Sequence, residues 1–366
     1  MFVKRAAKRS HPNRIGYGNL PGGMIDLSRE GMEMIESIEF KNFKALRDTV
    51  LPLGPLTILI GPNGSGKSTV LQALAAFQHP NTLKFKNIVS FDAQSSPDAT
   101  VQVQLRWHYG STKGLRWKTN NSSERFAEGP QGVPPQELNY RSRIERSIGV
   151  FSFDAQKIAA TVPVQKGIVE LAGDGAGLAS VLDGMRDDAP VQFNAIQNQL
   201  REWLPEYDCI LFDRPSQGSK SIALRTKEGQ HKVPASDLSQ GTLISLALLT
   251  LAYHPTRPSL IALEEPDRGI HPYLLRNIKD VLIRLSYPES CGEKRDPVQV
   301  IATTHSPYFV DLFRETPECV VVANKVGLDV KFERLTDQPH FHDIVGQAAL
   351  GDAWYSGVLG GVPSGS

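Results

Sequence analysis

The chain has 366 residues, with 40 Lys and Arg against 39 Asp and Glu, so no overall basic field announces nucleic acid, although a local basic face fits inside the balance. Hydrophobic residues at 40%, together with 31 glycines, exclude a disordered chain, and the length leaves room for one large or two modest domains. Three cysteines, Cys209, Cys291 and Cys319, lack metal-ligand spacing and read as reduced thiols with a cytoplasmic address, and no apolar stretch approaches the roughly 20 residues of a membrane span.

Residues 1–33 carry Lys4, Arg5, Lys8, Arg9 and Arg14 without the apolar region of a secretory signal, and read as a flexible leader. Met32 and Met34 leave open where translation begins. Residues 34–172 open with "IESIEFKNFKAL", whose period-two alternation predicts a half-buried strand, followed by a buried strand over Leu56 to Ile60, a glycine loop and a helix from about Lys67. From Leu83 to Thr119 alternating runs such as "ATVQVQLRWHYG" predict short strands of an antiparallel β-subdomain, and "NNSSERFAEGPQGVPPQ" predicts a loop. "IGVFSFDA" resumes a buried strand.

Residues 173–207 place Leu178, Val181, Leu182, Phe193, Ile196 and Leu200 at helical spacing, a helical lobe. In residues 208–335, "CILFDR" and "KSIALRTKEG" are expected to return to the main sheet. The pentad Leu238 to Thr242 then opens a very apolar helix, and two buried strands, in "SLIALEEP" and "VQVIATTHSP", flank a helix from about Tyr273 to Leu285. Strands alternating with helices in this order predict a largely parallel α/β sheet. Residues 336–366 form a C-terminal tail.

Gly61, Pro62, Asn63, Gly64, Ser65, Gly66, Lys67, Ser68 and Thr69 follow the phosphate-loop pattern between a strand and a helix. Glycines there aim backbone N–H groups at phosphates, the helix N-terminus adds its positive end, Lys67 reaches the β and γ phosphates of ATP, and Ser68 ligates Mg²⁺. The plain alternative is a glycine-rich turn with an accidental lysine.

Glu264 and Glu265 end an apolar strand, where carboxylates face the crevice beyond the strand ends. By order along the strand, Glu264 takes the Mg²⁺ role and Glu265 polarises the attacking water as general base. His305 follows a second buried strand and is placed to sense the γ-phosphate, although a histidine at a strand end is more often simply solvated. Ser239 and Gly241, at a helix N-terminus far along the chain, make a second anion-binding device. One nucleotide does not need two such ends within one chain, and a homodimer in which each protomer closes over the other's ATP satisfies both.

Together these motifs resemble the ATP-binding-cassette ATPases, whose signature helix begins Leu-Ser-X-Gly, here Leu238 to Gly241, and whose switch histidine is here His305. "IESIEFKNFKAL", "EEP", "THSP" and the ending "LGDAWYSGVLGG" are similar to the SMC/RecF/OLD-like branch of AAA family ATPases. The resemblance covers most of the chain from about Ile35. It implies a P-loop ATPase head with a mixed, largely parallel sheet flanked by helices, plus the β-subdomain and the helical lobe. It also implies Glu264 and Glu265 as Walker B with its base, Ser239 and Gly241 acting in trans, and catalytic roles for Lys67 and His305.

Three departures stand out. Glu264 replaces the usual Asp, His271 occupies the usual D-loop Asp position, and the Q-loop glutamine is either Gln156, preferred here as a Mg²⁺ ligand, or Gln94. A stand-alone form is expected, because no heptad arm is present and about 60 residues after His305 leave no room for a Toprim nuclease domain.

The leading functional expectation is an ATPase whose ATP-driven dimerisation is coupled to a separate effector protein or DNA. The resemblance adds the setting, bacterial defence against phage. A RecF-like repair ATPase would use a basic face, for which Arg116, Lys118, Arg141, Arg143 and Arg146 are candidates. A transporter cassette would need a groove for a membrane subunit beside a clear Q-loop. A binding module that uses ATP as a slow timer differs from all of these in turnover.

Overall fold

Leu56–Ile60 (β3), Leu260–Leu263 (β12) and Gln299–Thr303 (β13) are buried along their whole length. Uninterrupted apolar runs of this kind belong to strands covered on both faces. A computed structural model, which describes residues 34–107, 110–128, 147–164, 167–339, 341 and 349–360, places them at the centre of a six-stranded sheet. With Ile148–Phe151 (β7), Val320–Val326 (β14) and Asp329–Arg334 (β15), the order is β15-β14-β3-β13-β12-β7. All neighbours pair in parallel except β14 with β15. The expected α/β fold with a mixed, largely parallel sheet is therefore present.

Period-two alternation divides the molecule into two cores. Ile58 and Ile60, Val300 and Ala302, and Ile261 and Leu263 point into one, while Leu59, Ile301, Leu260 and Ala262 point into the other. The second core is closed by helix α1, Lys67–Gln78, through Val70, Leu74 and Phe77, and by an antiparallel sheet. That sheet runs β2-β1-β4-β5-β6, from Ile35–Phe43 (β1), Leu46–Pro52 (β2), Thr100–Trp107 (β4), Thr112–Lys118 (β5) and Ser123–Glu128 (β6).

The first core is closed by helices: Ala155–Ala159 (α2), Leu178–Asp188 (α3), Pro190–Trp203 (α4), Gln240–Tyr253 (α5), Leu275–Ser286 (α6), Pro307–Asp311 (α7) and Leu350–Tyr355 (α8). Helix α5 is buried at every position from Gly241 to Tyr253, which explains why its sequence shows no polar face. Helix α8, in the C-terminal tail, docks on α7 so closely that a Cβ on Gly351 would lie 2.3 Å from the Pro307 carbonyl oxygen.

The expected helical lobe is present as α3 and α4. Three expectations are corrected. Leu83 to Ala99 contains helical turns, not strands, and the β-subdomain draws β1 and β2 from earlier in the chain instead. β6 occupies part of the expected loop, because Phe126 packs over Gly114 and pairs that edge with β5. Tyr207–Asp213 (β9) and Ser219–Thr226 (β10) do not return to the main sheet; with Val162–Pro163 (β8) and Lys232–Pro234 (β11) they form a separate small antiparallel sheet. Among the described residues no helix is long and apolar enough to cross a membrane. The expected leader and Arg141, Arg143 and Arg146 lie outside the described residues.

One buried side chain ties the two sheets together. Gln299 at the start of β13 is 3% exposed; its Oε1 accepts from the Ile35 N–H at 3.0 Å, and its Nε2 donates to the Ile35 and Gly54 carbonyls at 2.8 and 3.0 Å. Gln299→Leu leaves buried backbone groups unpaired and is expected to lower unfolding stability by about 3 kcal/mol in urea denaturation. A loss under about 0.5 kcal/mol would contradict this account of how the sheets are joined.

Candidate functional site

The glycine loop leaves β3 and enters α1 with Gly61, Gly64 and Gly66 at φ of 149°, 75° and 85°. A Cβ on Gly61 would lie 2.6 Å from the Ala323 carbonyl oxygen, which excludes a side chain there, while one on Gly66 would press on Leu46 Cδ2 at 2.8 Å in a backbone conformation that already favours glycine. Gly64 faces open space. No side chain caps the N-terminus of α1 and no acidic residue lies in its first turn, so its leading N–H groups remain available to an anion. Pro62 and Asn63 lie on the outer side of the loop, Ser65 is fully buried, and Thr69 is half-buried on α1.

Lys67 is turned back on the loop, its Nζ donating to the carbonyls of Gly61 and Pro62 at 2.7 and 2.9 Å. Burial lowers its pKa to about 8, opposed by the negative charge of Glu265. An ammonium held by two weak acceptors in a desolvated place has most to gain from a phosphate.

Parallel register brings the other groups to the same edge. Leu59 pairs with Thr303, Leu263 with Ala302 and Leu263 with Phe151, so β3, β13, β12 and β7 end side by side. Glu264 continues the ladder, its N–H donating to the Phe151 carbonyl at 2.8 Å. Its Oε1 accepts from the exposed Ser68 hydroxyl at 2.5 Å, across 196 residues of chain. Glu265 Oε1 lies 3.7 Å from His305 Nε2. Burial and then the nearby Lys67 lower the His305 pKa, with Glu265 opposing, which keeps the imidazole neutral at neutral pH. Lys67, Ser68, Glu264, Glu265 and His305 thus meet at one place.

The remaining candidates lie elsewhere along the fold. Gln156 is exposed on α2, just beyond the end of β7, with its N–H engaged by Asp154 at 2.8 Å; Gln94 belongs to the segment that precedes β4. Ser239 caps α5, its Oγ accepting from the Thr242 N–H at 3.1 Å, yet the residue stays exposed. Gly241 rests on the turn after β12: a Cβ there would lie 2.8 Å from the Gly269 carbonyl oxygen. His271 is exposed and caps a short 3₁₀ turn, Nδ1 accepting from the Tyr273 N–H at 3.4 Å.

Three residues not singled out from the sequence belong to the same edge. Thr303 Oγ1 accepts from the Glu265 N–H at 3.1 Å, and Thr304 Oγ1 donates to Asp267 Oδ2 at 2.8 Å. Asp267 Oδ1 is buried without a partner among the described residues, and burial raises the carboxyl pKa to about 6, the Thr304 hydroxyl opposing. The signal was present in "EEPD" and "TTHSP", a third carboxylate and two hydroxyls beside residues already chosen, but side-chain direction is not written in spacing.

A family model described as "AAA domain, putative AbiEii toxin, Type IV TA system" matches residues 107–311, more than half of the chain. The chain belongs to this AAA family. A second model, "AAA ATPase domain", matches residues 34–125. The OLD nuclease of Thermus scotoductus is 24% identical over 339 residues, covering 77% of this chain, and the chain spans 60% of that relative's length. The sulfate/thiosulfate import ATP-binding protein CysA of Mycobacterium tuberculosis is 54% identical over 35 residues, 10% of each chain. An SMC head solved with the C-winged helix domain of ScpA superposes with a TM-score of 0.56 at 14% identity, over 82% of this chain and 96% of that one. The AAA family implies nucleotide binding, and the fold is shared with the SMC head.

The Asp267 pKa carries a stability signature. Its folded value, about 6, lies above the ordinary 3.8, so the protonated form favours folding; the contribution is complete below about pH 4 and is lost as pH rises through 6. Relative to Asp267→Asn, the parent is expected to lose about 3 kcal/mol between pH 4 and 7, measured by denaturation of both across that range. A constant difference between the two would contradict the burial of this carboxyl.

Proposed function

We propose that the chain binds ATP with Mg²⁺ on the Gly61 to Thr69 loop, hydrolyses it, and closes as a homodimer whose assembly is read by a separate effector protein or by DNA. The observation that carries the reading is the meeting of Lys67, the Ser68–Glu264 pair and the Glu265–His305 pair at one sheet edge. The donors fit a hard cation. Among the described residues no group of three His, Cys, Asp or Glu could hold a metal by itself, whereas a hydroxyl, one carboxylate and phosphate oxygens suit Mg²⁺.

Bound Mg²⁺ would neutralise charge building on the phosphates. In this proposal Lys67 exchanges the Gly61 and Pro62 carbonyls for phosphate oxygens, and its ammonium is held charged by them. Ser68 and Glu264, now hydrogen-bonded to each other, would hold the cation, with Gln156, beyond the neighbouring strand end, as a further oxygen donor. Glu265 accepts the proton of the attacking water. His305, neutral and hydrogen-bonding, orients the γ-phosphate and reports its loss.

Ser239 and Gly241 act across the dimer. Ser239 is exposed while it caps α5, so its hydroxyl and the helix N-terminus are open to a partner's phosphate. The defensive setting is supported by the family description, which names a toxin of a type IV TA system, and coupling to DNA by the name OLD nuclease. The RecF-like reading draws less support from this chain, because Arg116 and Lys118 are both paired with Glu124 at 2.9 and 2.8 Å.

The trans arrangement is tested by mixing two variants, each expected to be inactive alone, Lys67→Ala and Ser239→Asp; the Asp retains a helix cap and adds charge against phosphate. In mixed dimers one of the two sites is intact, so mixing is expected to restore roughly a quarter of parent ATP turnover. Turnover that stays absent at every mixing ratio would contradict the shared site, and turnover undiminished by Lys67→Ala alone would contradict hydrolysis at this loop.

A further inference from the structure

Glu265 sits at φ 44°, in the left-handed region that a residue with a Cβ occupies only when its surroundings hold it there. The holding groups are all supplied by its own turn and by β13. Its N–H donates to Thr303 Oγ1 at 3.1 Å, and its carbonyl accepts from the Arg268 N–H at 2.9 Å. The Ile270 N–H closes the turn on the Asp267 carbonyl at 3.2 Å.

Among the described residues one side-chain bond fastens that turn to the sheet beyond Glu265. Thr304 Oγ1 donates to Asp267 Oδ2 at 2.8 Å and accepts from the Ser306 N–H at 3.0 Å, while the Thr304 N–H donates to the Leu59 carbonyl at 3.2 Å. Thr304 is fully buried. The hydroxyl therefore joins the turn carrying Glu265 to the loop carrying His305, while the backbone N–H of the same residue ties that loop to the strand that feeds the glycine loop. The carboxylate that receives it keeps a second oxygen buried without a partner among the described residues, an arrangement that costs stability and is typical of functional positions.

We propose that Asp267 is a positioning residue: through the Thr304 hydroxyl it holds the strained backbone that aims the Glu265 carboxylate. The inference rests on the role of Glu265 as general base. Without the bond, the turn keeps only the Thr303 contact, Glu265 relaxes toward negative φ, and its carboxylate swings off the line of a water beside the γ-phosphate. Misplacement of a catalytic group by about 1 Å costs up to about 100-fold in rate. ATP binding depends on the glycine loop and Lys67, which this bond does not touch, so the loss falls on kcat and leaves KM nearly unchanged.

The experiment is steady-state ATP turnover with Mg²⁺ by the full chain, comparing the parent with Asp267→Ala, Thr304→Val, Thr304→Ser and Glu265→Gln. The Ala and Val variants are expected to lower kcat by about tenfold or more with KM within about twofold, and Thr304→Ser, which keeps the hydroxyl, to retain most of the turnover. Unchanged kcat in Asp267→Ala, a loss expressed in KM, or a Ser variant as impaired as Val would overturn the inference while leaving the base assignment intact. Turnover by Glu265→Gln equal to the parent would overturn the base assignment and this inference with it. Should Asp267→Ala fail to fold, the Thr304 pair carries the same comparison.

Discussion

Lys67 and His305 lie 238 positions apart in the chain, Ser68 and Glu264 nearly 200, and only the hydrogen-bonded register of parallel strands holds these groups within reach of one another. Each of β3, β12 and β13 is a short, wholly buried run that cannot slip by one residue without exchanging its inward and outward side chains between two different cores. Register is thus fixed by burial on both faces. The strand ends, and whatever follows them, inherit that precision.

Burial is also what makes the site chemically unusual. Lys67 is an ammonium with a lowered pKa, Asp267 a carboxyl with a raised one, and Glu265 a residue in a backbone region that costs energy. None of these is favourable in isolation, and the surrounding sheet and helix α5 supply the stability that keeps them in place. The exposed groups form a different set: Ser68 and His305 at the strand ends, Gln156 on α2 and Ser239 at the start of α5 are all open to solvent.

The parts legible in the sequence are those with local signatures. The glycine loop, the paired glutamates, the apolar strands and the cap at Ser239 each announce themselves within ten residues. The departures come from pairing choices that local pattern does not contain. β9 and β10 are good strands, but their partners turn out to be each other and not the main sheet. β6 was hidden by polar composition, because an edge strand with a solvated face needs few apolar residues. Asp267 and Thr304 were invisible for a related reason: a hydrogen bond between loops 37 residues apart depends on which way two side chains point.

The central claim is that the glycine loop of one protomer and the Ser239 cap of another form one ATP site. The most direct measurement is the solution mass of the Glu265→Gln chain, the variant expected to block hydrolysis under the proposed base role, with and without ATP and Mg²⁺. The account predicts a shift from monomer to dimer on adding ATP, abolished when Ser239→Arg is added. A mass that ATP leaves unchanged would contradict it and would reduce Ser239 to the helix cap that its bond to Thr242 already makes.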